Sequence, residues 1–170
     1  MEPKTPKDSV SILTDMVLPG ETNPLNNLFG GELLARIDRT AGIAARRHSR
    51  RVCVTASVNH VSFTRPIPLG AVVTVQAKVT RTFKSSLEIY ADIWTEDRET
   101  GTQHNAASAI YTFVAVDDMG NPVPVPELIP ETELEIERFH AALRRKQLSL
   151  ILANKMNPED ATELKALFKM

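Results

Sequence analysis

Between positions 33 and 45 the apolar side chains Leu33, Leu34, Ile37, Ala41, Ala44 and Ala45 return at intervals of three and four. That spacing lays one buried stripe along a helix. At about 100° per residue the six fall within an arc of roughly 120°. Glu32, Arg36, Arg39, Arg46 and Arg47 gather on the opposite side, which is therefore expected to face water. Asp38 belongs to neither group. It lands at the margin of the apolar arc beside Gly31 and Gly42, the only charge on that flank, where a carboxylate is held in a defined environment. Such a carboxylate caps a neighbouring loop, pairs with an arginine, or does chemistry, and the helical wheel alone leaves these open.

Elsewhere the period changes to two. Val73, Val75, Ala77 and Val79 alternate with polar residues, as do Leu87, Ile89, Ala91 and Ile93, so one face of a sheet is buried and the other is wetter. Strands are predicted over residues 9–18, 52–63, 71–83, 86–95 and 103–116, each rich in Val, Ile, Thr or aromatic residues. Turn residues mark the joints: Pro19, Gly20 and Pro24 after the first, Pro66, Pro68 and Gly70, then Lys84-Ser85, then Asp97 to Gly101, and Gly120 to Pro122. Short joints favour antiparallel neighbours, and the early helix is the obvious object for the sheet to bury. The expected fold is therefore α+β, an antiparallel sheet wrapped around one long central helix.

Beyond residue 116 the texture changes. Pro122, Pro124, Pro126 and Pro130 make an extended connector. A charged, periodic helix is expected from residue 131 to about 153, and a last one after Asn157, with Pro158 at its first position. The division expected is one domain over residues 8–121 and a proline-rich connector with C-terminal helices over 122–170, the latter with structural or interfacial duty.

Composition narrows the function. A formal net charge of -1 provides no global basic field, so nucleic acid is not an expected partner. The lone Cys53 excludes an internal disulfide framework, and the dispersed His48, His60, His104 and His140 lack ligand spacing, so no metal is expected. No apolar run has the length of a membrane span, and the first residues lack the apolar core of a signal peptide; the expected location is cytoplasmic.

Chemistry is then sought where loop and helix meet. Gly30 and Gly31 open the helix, leaving unpartnered N–H groups at its positive end, a clamp for a carbonyl or an anion. A glycine pair also serves simply to turn the chain into a tightly packed helix. Asn27, just before it, can donate and accept, as many loop asparagines do. His60, in an alternating strand, reads as a packed histidine.

Together, Asn27 with Gly30-Gly31, Asp38 seven residues on, Ala41-Gly42, the stretch Val58-Asn-His-Val61-Ser-Phe63-Thr-Arg65-Pro66 and Gly70 resemble the hotdog-fold acyl-CoA thioesterases, most closely those of the YciA and brain acyl-CoA hydrolase types. The resemblance runs from about residue 10 to 116. It implies the hotdog fold, in which a sheet surrounds a helix. It also implies an active site at a dimer interface, with Asp38 as general base or nucleophile and Asn27 of a neighbouring subunit positioning water or thioester. N–H groups at Gly30 and Gly31 would stabilise the oxyanion. The expected substrate is acyl-CoA, released as carboxylic acid and coenzyme A without a further cofactor. The expected assembly is a homodimer and a trimer of dimers, a homohexamer. Arg81, Lys84, Ser85 and Ser86 in one turn, and Arg65 beside Pro66, are the candidates for the coenzyme A phosphates. Phe83 stands where the family usually has glycine. Two rivals are weighed: a hotdog dehydratase, which needs an active-site histidine that the segment before His48 does not supply, and a non-catalytic acyl-CoA sensor, against which Asp38 and Asn27 both argue.

Overall fold

The computed structural model describes residues 1–168 of the chain. Five strands, β1 (Ser11–Met16), β2 (Val52–Phe63), β3 (Val72–Thr82), β4 (Ser86–Glu96) and β5 (Gln103–Val116), form one sheet in the order β1-β3-β4-β5-β2 with every neighbouring pair antiparallel. The long helix α1 (Gly30–Ser49) packs across one face. Leu33, Ile37, Ala41, Ala44 and Ala45 are buried there against Val73, Val75, Val79, Ile89, Ile93 and Phe113. Burial of a Leu or Ile side chain of this kind stabilises the fold by about 1.5–3 kcal/mol. The alanines let helix and sheet approach closely.

The opposite face is covered by α2 (Glu133–Leu152). Since successive side chains in a strand alternate, Glu88, Tyr90 and Asp92 point away from α1, and α2 meets them. Arg145 reaches Glu88 at 2.7 Å, Arg138 reaches Asp92 at 3.0 Å and lies 3.7 Å over the Tyr90 ring, and Lys78 pairs with Glu135 at 2.8 Å. Thr132 caps the start of α2 by accepting from the Glu135 amide at 3.2 Å. No described helix is long and apolar enough to cross a membrane.

The first strand is shorter than predicted. Residues Pro6–Ser9 form a 3-10 turn, because Asp8 accepts from the Thr5 amide at 2.8 Å and the Ser9 hydroxyl donates to the Pro6 carbonyl at 2.8 Å. At the other end the Leu18 amide is taken by the Glu21 carboxylate at 2.9 Å, which closes the chain into a turn. Near the C-terminus Asn157 makes no side-chain cap. Pro158–Asp160 is a 3-10 turn, and the short α3 (Thr162–Ala166) follows, its Leu164 amide held by Gln147 at 2.9 Å. Residues 169–170 of the expected tail lie outside the described residues.

The largest departure concerns Arg36. The helical wheel puts it on the wet side, yet its side chain is 2% exposed. It is buried because β1 and the loop before α1 both close over that side, and each brings a carboxylate. Arg36 Nε donates to Asp15 at 2.9 Å, and Nη2 donates to Glu21 at 2.8 Å.

The sheet ends in two edge strands, the short β1 and the long β2. β2 pairs with β5 alone among the described residues, with irregular register at Thr55/Ser57 and at Val58/His60. Val52, Val54, Val58 and Phe63 are all exposed along it.

Candidate active site

Asp38 lies eight residues into α1, about 12 Å along the axis from Gly30, on the flank turned toward β2. Thr55 of β2 donates its hydroxyl to Asp38 Oδ1 at 2.6 Å. The register shift that follows Thr55 is the kind of irregularity that re-aims a side chain. Oδ2 of Asp38 has no protein donor among the described residues. Below this pair, the buried Tyr111 of β5 donates its hydroxyl to the carbonyl of Leu34, one helical turn before Asp38, at 3.2 Å. Burial and then the charge of Asp38 push the Tyr111 phenol up to about 12, so it stays a neutral donor near pH 7.

The start of α1 is uncapped: Phe29 supplies no side-chain acceptor, and the first helical bond is from the Leu33 amide to the Phe29 carbonyl. The amides of Gly30, Gly31 and Glu32 therefore have no partner among the described residues. A Cβ built on Gly31 would meet nothing within 4 Å, whereas one on Gly30 would touch Phe63 at 3.5 Å. Space in front of Gly31 is open.

The preceding loop is tied down from within. Asn23 Oδ1 accepts from the amides of Leu25 at 2.9 Å and Asn27 at 3.2 Å, while the Asn23 amide donates to the Asn27 carbonyl at 2.8 Å. With Oδ1 occupied, the side-chain Nδ2 of Asn23 is left without a protein acceptor among the described residues. Asn23, Asn27, Leu33, Phe63, Arg65 and Pro66 line one surface cavity at this end of the helix.

Within one chain, then, the structure brings Asn27 and Arg65 together beside Gly30, and leaves Asp38 more than two helical turns away. The predicted phosphate-binding turn is a third place. Arg81 is half-buried, donates to the Phe139 carbonyl at 2.9 Å and stacks 3.9 Å over the Phe139 ring, and burial lowers its pKa. Ser86 is buried, Ser85 is partly buried, and Lys84 alone of that set is exposed. Thr55 and Asn23 are absent from the residues that the sequence put forward. Thr55 is one threonine among many in strands, and Asn23 reads as turn punctuation beside Pro24. For Thr55 the register of β2 on β5 was the needed signal; for Asn23 it was the bonding of the loop.

Residues 25–102 match the Thioesterase superfamily. The chain is 41% identical over 160 residues to the uncharacterized acyl-CoA thioester hydrolase YkhA of Bacillus subtilis, which covers 90% of this chain and 93% of that one. A crystal structure of an apo-hexameric acyl-CoA thioesterase superposes with a TM-score of 0.86 at 34% identity, covering 90% of this chain and 98% of the other. The acyl-CoA hydrolase of Staphylococcus aureus, in complex with butyryl coenzyme A, coenzyme A and coenzyme A disulfide, gives 0.84 at 31% identity over 98% and 99%. Structures of that hydrolase also exist with an aspartate, an asparagine and a threonine each changed to alanine; the asparagine precedes the aspartate by fifteen positions and the threonine follows it by seventeen. The same two intervals from Asp38 fall on Asn23 and Thr55. The chain belongs to the acyl-CoA thioester hydrolases of the thioesterase superfamily.

Proposed function

We propose that this protein hydrolyses the thioester of acyl-CoA to a carboxylic acid and free coenzyme A, with Asp38 as the general base or nucleophile. The observation that carries the assignment is the state of Asp38: one oxygen is fixed by Thr55 and the other is open, between a helix and a strand whose far edge has no partner among the described residues. In the first route a water oxygen attacks the thioester carbonyl carbon while its proton passes to Oδ2. The tetrahedral oxyanion then collapses, breaking the carbon–sulfur bond and releasing the thiolate, which takes up a proton. In the second, Oδ2 attacks the carbon, the thiolate leaves, and water opens the resulting anhydride. Either way the negative oxygen needs donors, and the free amides of Gly30 and Gly31 are suited to that duty.

Those amides and Asp38 of one chain are too far apart to serve one carbonyl. We therefore place the site between two copies, paired along the free edge of β2, so that Asp38 of one faces the loop and helix start of the other. Hexameric relatives support such an assembly, as do the exposed Val52, Val54, Val58 and Phe63. In that loop Asn23 is the stronger claimant for holding water or thioester, because two backbone amides fix its Oδ1 while its Nδ2 stays free to donate, and because it stands at the same interval from Asp38 as the altered asparagine of the Staphylococcus aureus hydrolase does from its aspartate. Asn27 shapes the same cavity. Arg65 and Lys84, both exposed, are assigned to the coenzyme A phosphates, with Arg81, Ser85 and Ser86 shaping the turn that carries Lys84. Cys53, a lone thiol, suits the cytoplasm.

Thiol release from a panel of acyl-CoAs tests the reading. Asp38→Asn is expected to lower kcat by about 10²–10⁴-fold with the fold intact, and Asn23→Ala to cost more than Asn27→Ala. Binding of acyl-CoA without turnover by the wild-type protein would instead mark a sensor.

A further inference from the structure

Arg36 is the one nearly fully buried cation on α1 among the described residues, and burying a guanidinium costs more than its ion pairs generally return. An apolar side chain would fill the same space at less cost. What the charge adds is direction, because its planar fork fixes each acceptor in angle as well as distance. The acceptors are informative. Asp15 belongs to β1, and that pair joins helix to sheet. Glu21 belongs to the loop, and it is bonded on every side: both carboxylate oxygens accept from Arg36 at 2.8 and 2.9 Å, one also accepts from the Leu18 amide at 2.9 Å, and its carbonyl accepts from the Phe29 amide at 2.9 Å. The Leu18 amide first, then Arg36, lowers the Glu21 pKa. Glu21 thus holds the loop two residues before Asn23 and the backbone one residue before Gly30, while Arg36 stands two residues before Asp38.

We propose that Arg36 and Glu21 form a positioning clamp that sets Asn23 and the free amides of α1 in their catalytic placement. The inference rests on the thioesterase reading above. The clamp touches no substrate; it acts through the loop. Placement of this kind governs kcat steeply, since an error of about 1 Å in a positioned group can cost on the order of a hundredfold.

Three variants separate positioning from stability, each assayed as the intact assembly with the most reactive acyl-CoA of the panel. Glu21→Gln keeps the shape and the Leu18 bond but loses the charge. Arg36→Lys keeps the charge but not the fork. Asp15→Asn removes the charge from the link of the same guanidinium to β1, leaving the loop untouched, and is the control for stability. The first two are expected to lower kcat by about tenfold with KM within about twofold, and to speed amide hydrogen exchange in residues 18–29. Asp15→Asn is expected to lower the melting temperature while kcat holds. If Arg36→Lys fails to fold, Glu21→Gln decides alone. Unchanged kcat in Glu21→Gln, unchanged exchange of the loop, or a fall in kcat as large in Asp15→Asn overturns the clamp. Absence of turnover in the wild-type protein overturns the hydrolase reading instead, and is seen before any variant is made.

Discussion

β4 and β2 flank the same strand, β5, and meet opposite fates. Both are rich in branched and aromatic residues, yet Leu87, Ile89 and Ile93 of β4 are wholly buried while Val58 and Phe63 of β2 stay about half exposed. The cause is position. β4 has a bonded neighbour along each edge and helices on both faces; β2 has one neighbour among the described residues and two irregularities. Apolar composition therefore does not say which strand is core. It says which surface is left apolar, and on the proposed reading the cover for β2 comes from a second copy of the chain, one of the several ways in which an exposed strand edge is protected.

The contrast can be broken from its open side first. Val58→Asp puts a charge on the free edge and is expected to release monomers in sedimentation experiments, with thiol-release activity lost alongside; an active monomer would refute the shared site. On the covered side, Ile89→Ala is expected to cost about 2–5 kcal/mol of folding stability through lost burial and a residual cavity, measured by denaturant titration, with the oligomer mass unchanged. The smallest effect belongs to His48, fully buried at the exit of α1, where Nε2 meets the Pro126 carbonyl at 2.9 Å and Nδ1 has no partner among the described residues. Burial lowers its pKa, and the nearby Lys4 pushes the same way. The unfolded chain then binds the proton more readily than the folded one. This contribution to stability is present above the ordinary imidazole range and is lost as pH falls below it. Denaturant midpoints at pH 5 and pH 7.5 are expected to converge in His48→Gln relative to wild type.

Much of this was legible in the sequence. The period of two placed β2 to β5 to within a residue at each end, and β1 to within two, because side-chain bonds of Thr5, Asp8 and Ser9 bend residues that look extended. The odd flank of Asp38 was visible from spacing alone. Arg36 was not, because a wheel records the helix and not the loop that folds over it: at 100° intervals Arg36 keeps company with Glu32 and Arg39, which do face water. Thr55 was hidden for a related reason. Its meeting with Asp38 depends on how β2 pairs with a strand some fifty residues later, and no local pattern encodes that distance. Arg81 looked free beside Lys84 until Phe139 arrived from the C-terminal helix to enclose it.

Thr55 sits on the strand whose far edge is unpaired. On the proposed reading, the same few residues that hold the catalytic carboxylate also sense whether a second chain is present. Turnover per chain would then fall as the protein is diluted below the dissociation constant of the assembly, with no effector bound and no residue modified, so that abundance itself acts as the control on activity.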